Sequence, residues 1–400
     1  MSCTLIDKRQ ACSRFLAFQA LADARAFLMG IKGMMITSHE KWMKLALQLA
    51  KATQGQTSPN PMVGAVVVKK GQLLGTGVHL RAGEAHAEAE ALKRAGKEAE
   101  GSTLYVTLEP CNHVGRRPPC TESILASGVR KVVVGIRDPD PRVSGKGVRR
   151  LREAGIEVVE GVLEEECYRL NEMYFTHRRT GRPFVTMKVA MSLDGKIATP
   201  TGDSRWISGE ASRREVHRMR HIHDGILVGS GTVLKDRPRL TVRLPEGGIH
   251  PLRLVVDSKL RMPLDTPLAN TEEAPTWVFC TEARDRRKEE QLLARGVKVV
   301  PVGEGSRVDL GQMFRYLGQQ GILSVLAEGG GNLHASLLAG RFVDKVVTFI
   351  APKLVGGKES PTAVEGIGVN RMAQAIQLKD VSVARFGEDL CVTGYPLYKE

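Results

Sequence analysis

His86, Cys111 and Cys120 lie far apart in the chain, yet together they have the composition of a tetrahedral metal site. Any fold that uses them must bring three separate segments to one point. One imidazole and two thiolates fill three positions and leave the fourth for water, the arrangement of a catalytic zinc rather than a structural one. The pair of soft sulfurs selects zinc over harder divalent ions. Zinc lowers the pKa of a bound water toward neutrality. Glu88, two residues after His86, then has a chemical role, because a carboxylate there takes the water proton and delivers it to a departing amine.

The local context supports this reading. A lone histidine among alanines is more often a capped or core residue, but His86 opens an alanine-rich helical segment. Leu104 to Leu108 reads as a strand ending at the Pro110-Cys111 turn, and Cys120 precedes another helical stretch. A thiolate at a helix N-terminus is favoured by the free N–H groups there. The pairing of His-x-Glu with Pro-Cys is the signature of nucleobase deaminases. Residues two apart lie on different sides of a helix, so spacing alone does not bring His86 and Glu88 together. The other cysteines, Cys3, Cys12, Cys167, Cys280 and Cys391, are scattered and read as free thiols of a reducing compartment, the cytoplasm.

A formal charge of +14 raises nucleic acid as a partner, but the basic residues are dispersed and aromatic residues make up only 5%. A phosphorylated small substrate or cofactor accounts for that bias more economically. No apolar run is long enough to cross a bilayer, which argues against a membrane role. Residues 1–37 contain no continuous signal core, and Asp7 and Asp23 count against a transit peptide. They read as an extension without function, with Met34, Met35 and Met43 as alternative starts.

Length and pattern predict two α/β domains. In the first, 38–180, a helix over Glu40–Ala52 precedes a hairpin, three strands alternate with helices, and one helix over Glu164–Arg178 closes the unit. In the second, 181–400, strands start at Phe184, Gly225, Leu252, Thr276, Lys298 and Ser324. The last runs into Gly329-Gly330-Gly331, with a helix expected over Leu333–Ala339. That glycine turn is either a phosphate cradle at a helix N-terminus or a tight turn without ligand.

Taken together, these motifs resemble the bifunctional riboflavin-biosynthesis deaminase/reductases of bacteria over roughly residues 38–398. The resemblance rests on Thr57 to Gly64, His86-Ala87-Glu88, the block Thr107 to His113 with Pro118-Pro119-Cys120, and Asp138-Pro139 with Gly145-Lys146-Gly147. In the second half it rests on Ser192 to Gly195, Ser204 to Ile207, Val228 to Thr232, Asp236-Arg237-Pro238 and Glu328-Gly329-Gly330. It implies a cytidine-deaminase-like three-layer sandwich followed by a dihydrofolate-reductase-like α/β domain. It also implies a zinc on His86, Cys111 and Cys120 with Glu88 as proton shuttle, NADPH in the second domain, and a homo-oligomer. The implied substrate is a phosphorylated diaminopyrimidinone, deaminated first and then reduced at its ribosyl group.

The resemblance extends to binding residues. Asn60 and His79 fall near the deaminase substrate, and an amide's donor and acceptor suit a pyrimidine edge. Arg116 or Arg117 is a phosphate holder or a solvated loop residue. NADPH falls against Ala190, Trp206, Thr232, Asp236, Ser258 and Gly330, Gly331, Asn332, Leu333, His334, Ala335 and Ser336. The second substrate falls against Ser204, Arg220, Leu240, Arg243, Glu328 and Lys188. Without the resemblance, Trp206 reads as core packing.

Three positions depart from the family pattern. Asp140 stands where asparagine is common, Arg117 where threonine is, and Arg237 where a second aspartate is. Two rival readings fit less well. A nucleic-acid deaminase expects Pro-Cys-x-x-Cys, whereas eight residues separate these thiols. A structural zinc module expects four protein ligands and leaves Glu88 idle.

Overall fold

The computed structural model describes residues 38–113, 118–141 and 143–399. The chain divides after Thr180 into two compact units. The residues of the N-terminal extension lie outside the described ones.

The first unit contains α1 (Ser38–Lys51), β1 (Gly64–Lys69), β2 (Gln72–Val78), α2 (Ala87–Ala95), β3 (Thr103–Leu108), α3 (Cys120–Ala126) and β4 (Lys131–Ile136). It continues with α4 (Lys146–Glu153), β5 (Glu157–Glu160), α5 (Glu164–Leu170) and α6 (Glu172–Thr180). The sheet order is β2-β1-β3-β4-β5, with β1 antiparallel to both neighbours and β3, β4 and β5 parallel. Its central strands are buried on both faces, which is why they read as nearly unbroken valine and leucine runs rather than alternating ones. Ala65, Val67, Leu104, Val106, Val132 and Val134 pack against α2, α3 and α4, while Gly64 and Gly135 meet α1 and α5 on the other face. This is a three-layer sandwich.

One contact positions the metal-binding segment. A Cβ on Gly75 or Gly77 of β2 would lie 2.2 or 2.0 Å from the carbonyl oxygens of Ala91 and Ala87. Only glycine facing alanine lets the α2 backbone lie this close to the strand, and the start of α2 is thereby fixed.

The expected single helix over Glu164–Arg178 is two, α5 and α6, broken at Asn171. The side chain at the break is held from outside the helix. The buried Asn171 amide donates to Met62 O at 2.8 Å and accepts from Met62 N–H at 2.8 Å. It therefore ties the α5–α6 junction to the Asn60-Pro61 turn.

The second unit contains β6 (Phe184–Ser192), α7 (Glu210–Ile222), β7 (Gly225–Gly229), α8 (Ser230–Asp236), β8 (Leu252–Val256), β9 (Thr276–Cys280), α9 (Arg286–Leu293) and β10 (Lys298–Pro301). It ends with α10 (Leu310–Gln319), β11 (Ser324–Ala327), α11 (Gly331–Ala339), β12 (Lys345–Ala351), β13 (Gln377–Phe386) and β14 (Asp389–Leu397). The nine strands are ordered β10-β9-β8-β7-β11-β6-β12-β14-β13. Those from β10 to β12 are parallel, and the β13–β14 hairpin extends the sheet antiparallel. Val185, Leu227, Leu254, Phe279, Val325 and Leu337 belong to the core on one face, and Ile226, Val228, Val255 and Val278 to that on the other.

Strands β12, β13 and β14 were not among the sequence expectations. β13 is exposed along almost its whole length, so no buried face imposes a period on it. The α11 helix begins at Gly331, two residues earlier than expected, with Gly330 as its extended N-cap. The carboxyl ends of β6, β7, β8 and β11 open toward one edge of the sheet, where ligands bind in parallel α/β folds.

Replacing Asn171 with alanine removes two hydrogen bonds and leaves the Met62 backbone groups unpaired. The expected loss is about 2 kcal/mol of stability. Urea denaturation of the full chain measures it, and Asn171→Asp, which sets a buried carboxylate against the Met62 carbonyl oxygen, should lose at least as much.

Candidate active sites

His86 is not part of α2. It is the N-cap, with extended backbone at φ −76 and ψ 157, so the helical objection to its meeting Glu88 does not apply. His86 Nδ1 lies 3.0 Å from Cys120 Sγ and 3.6 Å from Cys111 Sγ, and the three donor atoms lie within 4.8 Å of one another. Cys120 opens α3, and its N–H points to Cys111 Sγ at 3.4 Å. The hydrogen bond from Cys120 holds Cys111 in the thiolate range, and that contact, with burial, pushes Cys120 up. Two sulfurs and an imidazole nitrogen this close call for a cation of borderline softness, and zinc fits.

Glu88, in the first turn of α2, is 3% exposed. Burial raises its carboxyl, with His86 acting against that. His79 packs edge-on to His86 at 5.4 Å between ring centres. Its Nδ1 faces the carbonyl of Ala85 at 3.1 Å, so that nitrogen carries the proton and Nε2 accepts from Asn60 Nδ2 at 3.0 Å. Burial lowers the His79 pKa, with the hydrogen bond to Ala85 acting against it. The Asn60 amide is thereby oriented.

These groups line a cavity of about 450 Å³ whose other wall is Asp138, Asp140, Tyr174 and Arg178. Sequence reading did not assign Tyr174 and Arg178, although their four-residue spacing on α6 puts them on one face. It also gave no role to Glu109. That buried carboxylate accepts N–H groups from Asp138 at 3.3 Å, Gly145 at 2.9 Å, Gly147 at 3.0 Å and Val148 at 3.2 Å. Arg116 and Arg117 lie outside the described residues.

In the second unit, Glu328 follows β11 directly, and its side chain is 6% exposed. Arg220 of α7 donates from Nε to Glu328 Oε1 at 2.7 Å and from Nη2 to Oε2 at 2.9 Å, and Lys188 Nζ of β6 lies 3.1 Å from Oε2. Burial alone pushes the Glu328 carboxyl up, but the charges of Arg220 and Lys188 outweigh it and hold the group far below the usual carboxylate range. Arg220 also donates to Thr241 O at 3.2 Å, next to Leu240 and Arg243. Leu240 is buried with a left-handed φ of 55. Arg243 reaches Thr241 Oγ1 at 3.4 Å. Burial, with Arg220 and Arg243 nearby, pushes His217 down to about 4.

Trp206, which reads as core packing only when the resemblance is set aside, is not in the core. It is 62% exposed, on the same 203–207 turn as Ser204, with the Arg213 guanidinium 4.6 Å from its ring centre. Thr232 and Asp236 lie on α8, Ser258 just beyond β8, and Ala190 on β6 two residues after Lys188. The segment from Gly330 to Ser336 is less open than expected. Leu333 and His334 are 9% and 2% exposed, and His334 is bonded to Ala363 O at 2.9 Å. Asn332 donates to Glu365, and Ser336 to Asn332 O at 2.9 Å. A Cβ on Gly331 would meet Thr362 O at 2.5 Å. Backbone N–H groups of the first turn of α11, rather than these side chains, are what the segment offers a phosphate. Arg237 caps α8 and pairs on the surface with Asp265 Oδ2 at 2.7 Å, so its charge is already met.

Comparison with known proteins follows the same division. Residues 183–392 match the RibD C-terminal domain, and residues 36–136 match the cytidine and deoxycytidylate deaminase zinc-binding region. The riboflavin biosynthesis protein RibD of Bacillus amyloliquefaciens is 44% identical over 357 residues, covering 89% of this chain and 96% of that protein. The RibD of Escherichia coli is 39% identical, covering 88% and 98%. The solved RibD of Acinetobacter baumannii superposes with a TM-score of 0.81 at 37% identity, covering 90% of this chain and 99% of that one. A Thermotoga maritima structure described as a diaminohydroxyphosphoribosylaminopyrimidine deaminase/5-amino-6-(5-phosphoribosylamino)uracil reductase gives 0.77 at 38% identity, with the same coverage.

The buried triad makes a signed prediction. A carboxyl held below its unfolded value stabilises the fold above about pH 4, and that contribution is lost as pH falls toward the folded value. Arg220→Met leaves Glu328 with Lys188 alone and should cost about 3 kcal/mol at pH 7. The deficit should shrink below pH ~4, where the variant's carboxyl is protonated. Urea denaturation at both pH values measures this, and a pH-independent deficit would mean packing, not charge.

Proposed function

The chain belongs to the RibD family of riboflavin biosynthesis, and from that premise we propose which of its residues carry the two reactions. It is a bifunctional enzyme with a zinc-dependent deaminase in its first half and an NADPH-using reductase in its second. In this reading residues 38–180 form the deaminase and 181–400 the reductase. The substrate is 2,5-diamino-6-ribosylamino-4(3H)-pyrimidinone 5′-phosphate, in keeping with the name given to the Thermotoga maritima relative. Ammonia leaves from C2, and the ribosyl group of the product is then reduced to ribityl. The observation that carries the reading is the convergence of His86, Cys111 and Cys120 at one point, beside a cavity lined by His86, Cys111 and the buried Glu88.

His86, Cys111 and Cys120 hold the zinc. Bound there, zinc supplies a water of lowered pKa and the positive charge that two thiolates require. Glu88 takes the water proton and passes it to the leaving amine, and its burial keeps bulk water from doing so indiscriminately. Asn60, oriented by His79, reads the pyrimidine edge. In the reductase, NADPH supplies the hydride to C1′. Gly330 and the N-terminal part of α11, from Gly331 and Asn332 through Leu333, His334, Ala335 and Ser336, lie along its phosphates, with Ala190, Trp206, Thr232, Asp236 and Ser258 along the rest of the cofactor. Arg220 and Arg243 offer the guanidinium pair that a sugar phosphate calls for, and Ser204 and Leu240 are assigned to the same substrate. Glu328 fixes Lys188, whose ammonium is a proton carrier for the reduction.

The partner is this small phosphorylated pyrimidine, not nucleic acid. Many surface arginines are already matched, as in Arg137 with Glu160, Arg150 with Glu122 and Arg286 with Glu289. No described helix is long and apolar enough to cross a membrane. A cytoplasmic location is favoured by the free thiols of Cys167, Cys280 and Cys391, and a homo-oligomer by the exposed Val381 and Val383 on the edge strand β13.

A coupled assay tests the reading. Zinc-loaded protein given the phosphorylated diaminopyrimidinone should release ammonia and then consume an equal amount of NADPH. Glu88→Gln should keep one zinc per chain, lose ammonia release by at least ~100-fold, and still oxidise NADPH when supplied with the deaminated intermediate. Ammonia release at the wild-type rate would remove Glu88 from the chemistry.

A further inference from the structure

Residues 237–251 join α8 to β8 without a helix or strand of their own, a length of irregular chain that compact domains usually keep for function. The segment carries Leu240 and Arg243, both assigned to the second substrate, so its position sets where that substrate is met. A loop of this kind must find partners for its main-chain N–H groups. Here imidazoles supply them. Arg243 N–H donates to His217 Nδ1 at 3.2 Å, Ile249 N–H to His221 Nδ1 at 2.9 Å, and Val242 N–H to His250 Nδ1 at 3.1 Å.

His217 and His221 are one helical turn apart on α7 with Arg220 between them, so one face of the helix meets the loop. Arg220 donates from that face to Thr241 O at 3.2 Å, and Arg214, a turn before His217, reaches Glu246 Oε2 at 3.5 Å. Gly248 is part of the fit, since a Cβ there would lie 3.3 Å from His221 Nδ1 and 2.7 Å from the Val242 side chain. An imidazole accepts a hydrogen bond only at a nitrogen without a proton, and the protonated ring has none. Burial first, then the charges of Arg220 and Arg243, push His217 down to about 4, with Glu328 and the Thr241 main chain acting against them. At neutral pH His217 is therefore an uncharged acceptor.

We propose that His217 and His221 are positioning residues of the reductase site: as neutral acceptors on α7 they hold the 240–249 loop, and so fix Arg243 relative to Arg220 on the same helix. The proposal rests on the reading above in which these two arginines meet the sugar phosphate. Neither histidine touches the reacting atoms, and each acts through a main-chain N–H. Two guanidinium groups bind one phosphate only at the right spacing, and one of the two stands on a segment that no ladder of backbone hydrogen bonds holds in place. His217 has the more direct hold, because its bond is to the N–H of Arg243 itself. The His221 bond closes the loop at its far end, at Ile249.

Reduction of the deaminated intermediate by the zinc-loaded full chain, followed as NADPH oxidation, tests this. His217→Leu, which removes the acceptor, should raise KM for the intermediate roughly tenfold and leave kcat and the KM for NADPH within about twofold, because only binding of one substrate is weakened. His217→Asn sets an amide oxygen close to the Nδ1 position and should recover most of that KM. His221→Leu should raise it less, by about threefold. Arg243→Met should raise KM by itself but add little in the His217→Leu background, since the histidine acts through Arg243. Ring-nitrogen NMR of the wild type should show His217 and His221 with the proton on Nε2 at pH 7. An unchanged KM in a folded His217→Leu, an asparagine variant as poor as the leucine one, fully additive losses with Arg243→Met, or a proton on Nδ1 of His217 would overturn the proposal. Thermal melts separate misfolding from weaker binding, and where His217→Leu does not fold, His217→Gln, whose amide overshoots the Nδ1 position, takes its place in the same comparison. If Arg243→Met leaves KM for the intermediate unchanged, the phosphate reading itself fails and takes the proposal with it. A raised KM in Arg243→Met beside an unchanged one in His217→Leu overturns the positioning alone.

Discussion

The Glu109 carboxylate sits at the start of α4 and takes four backbone N–H groups, from Asp138, Gly145, Gly147 and Val148. It immediately precedes Pro110 and Cys111, so the turn that carries a zinc thiolate is fixed to the loop that forms the opposite cavity wall. Its charge is met by amide dipoles and the positive end of a helix, an arrangement that is rigid because each of these donors belongs to the main chain. Gly147 is part of the same arrangement, since a Cβ there would lie 2.0 Å from the Pro110 carbonyl oxygen. The cavity owes its shape to this carboxylate as much as to the sheet beneath it.

The reductase unit also buries a glutamate at the end of a strand, but meets it with cations. Glu328 lies between Arg220 of α7 and Lys188 of β6, each from a different element. Charge pairs of this kind gain little net stability over apolar packing, because desolvating three ions costs several kcal/mol each. What they do provide is position. A lysine from a strand and an arginine from a helix, drawn to one carboxylate at the end of β11, are held in fixed positions relative to each other.

How much of this was legible in the sequence depended on whether a residue's surroundings were local. His86, Cys111, Cys120 and Glu88 were identified from residue type and spacing, because zinc chemistry restricts the choice so strongly. Their convergence was not legible, since it depends on His86 leaving the helix as an N-cap and on Gly75 and Gly77 admitting α2 against β2. The α5–α6 break was hidden because Asn171 answers to Met62, 109 residues away. The β13 strand was hidden for the opposite reason, having too few buried contacts to impose a period. Around Gly331 the glycine turn was seen, but not that Leu333 and His334 turn inward.

Asp140 and Arg178 show why a departure from a family pattern is hard to judge one residue at a time. Read along the chain, Asp140 is only an added negative charge in a loop, and Arg178 one of two adjacent arginines near a domain boundary. In the fold they lie 3.9 Å apart across a cavity wall, 38 residues removed from one another. Burial first, and the Asp140 charge after it, push Asp138 up to about 6, so the electrostatics of this wall depend on packing that the order of residues along the chain does not show.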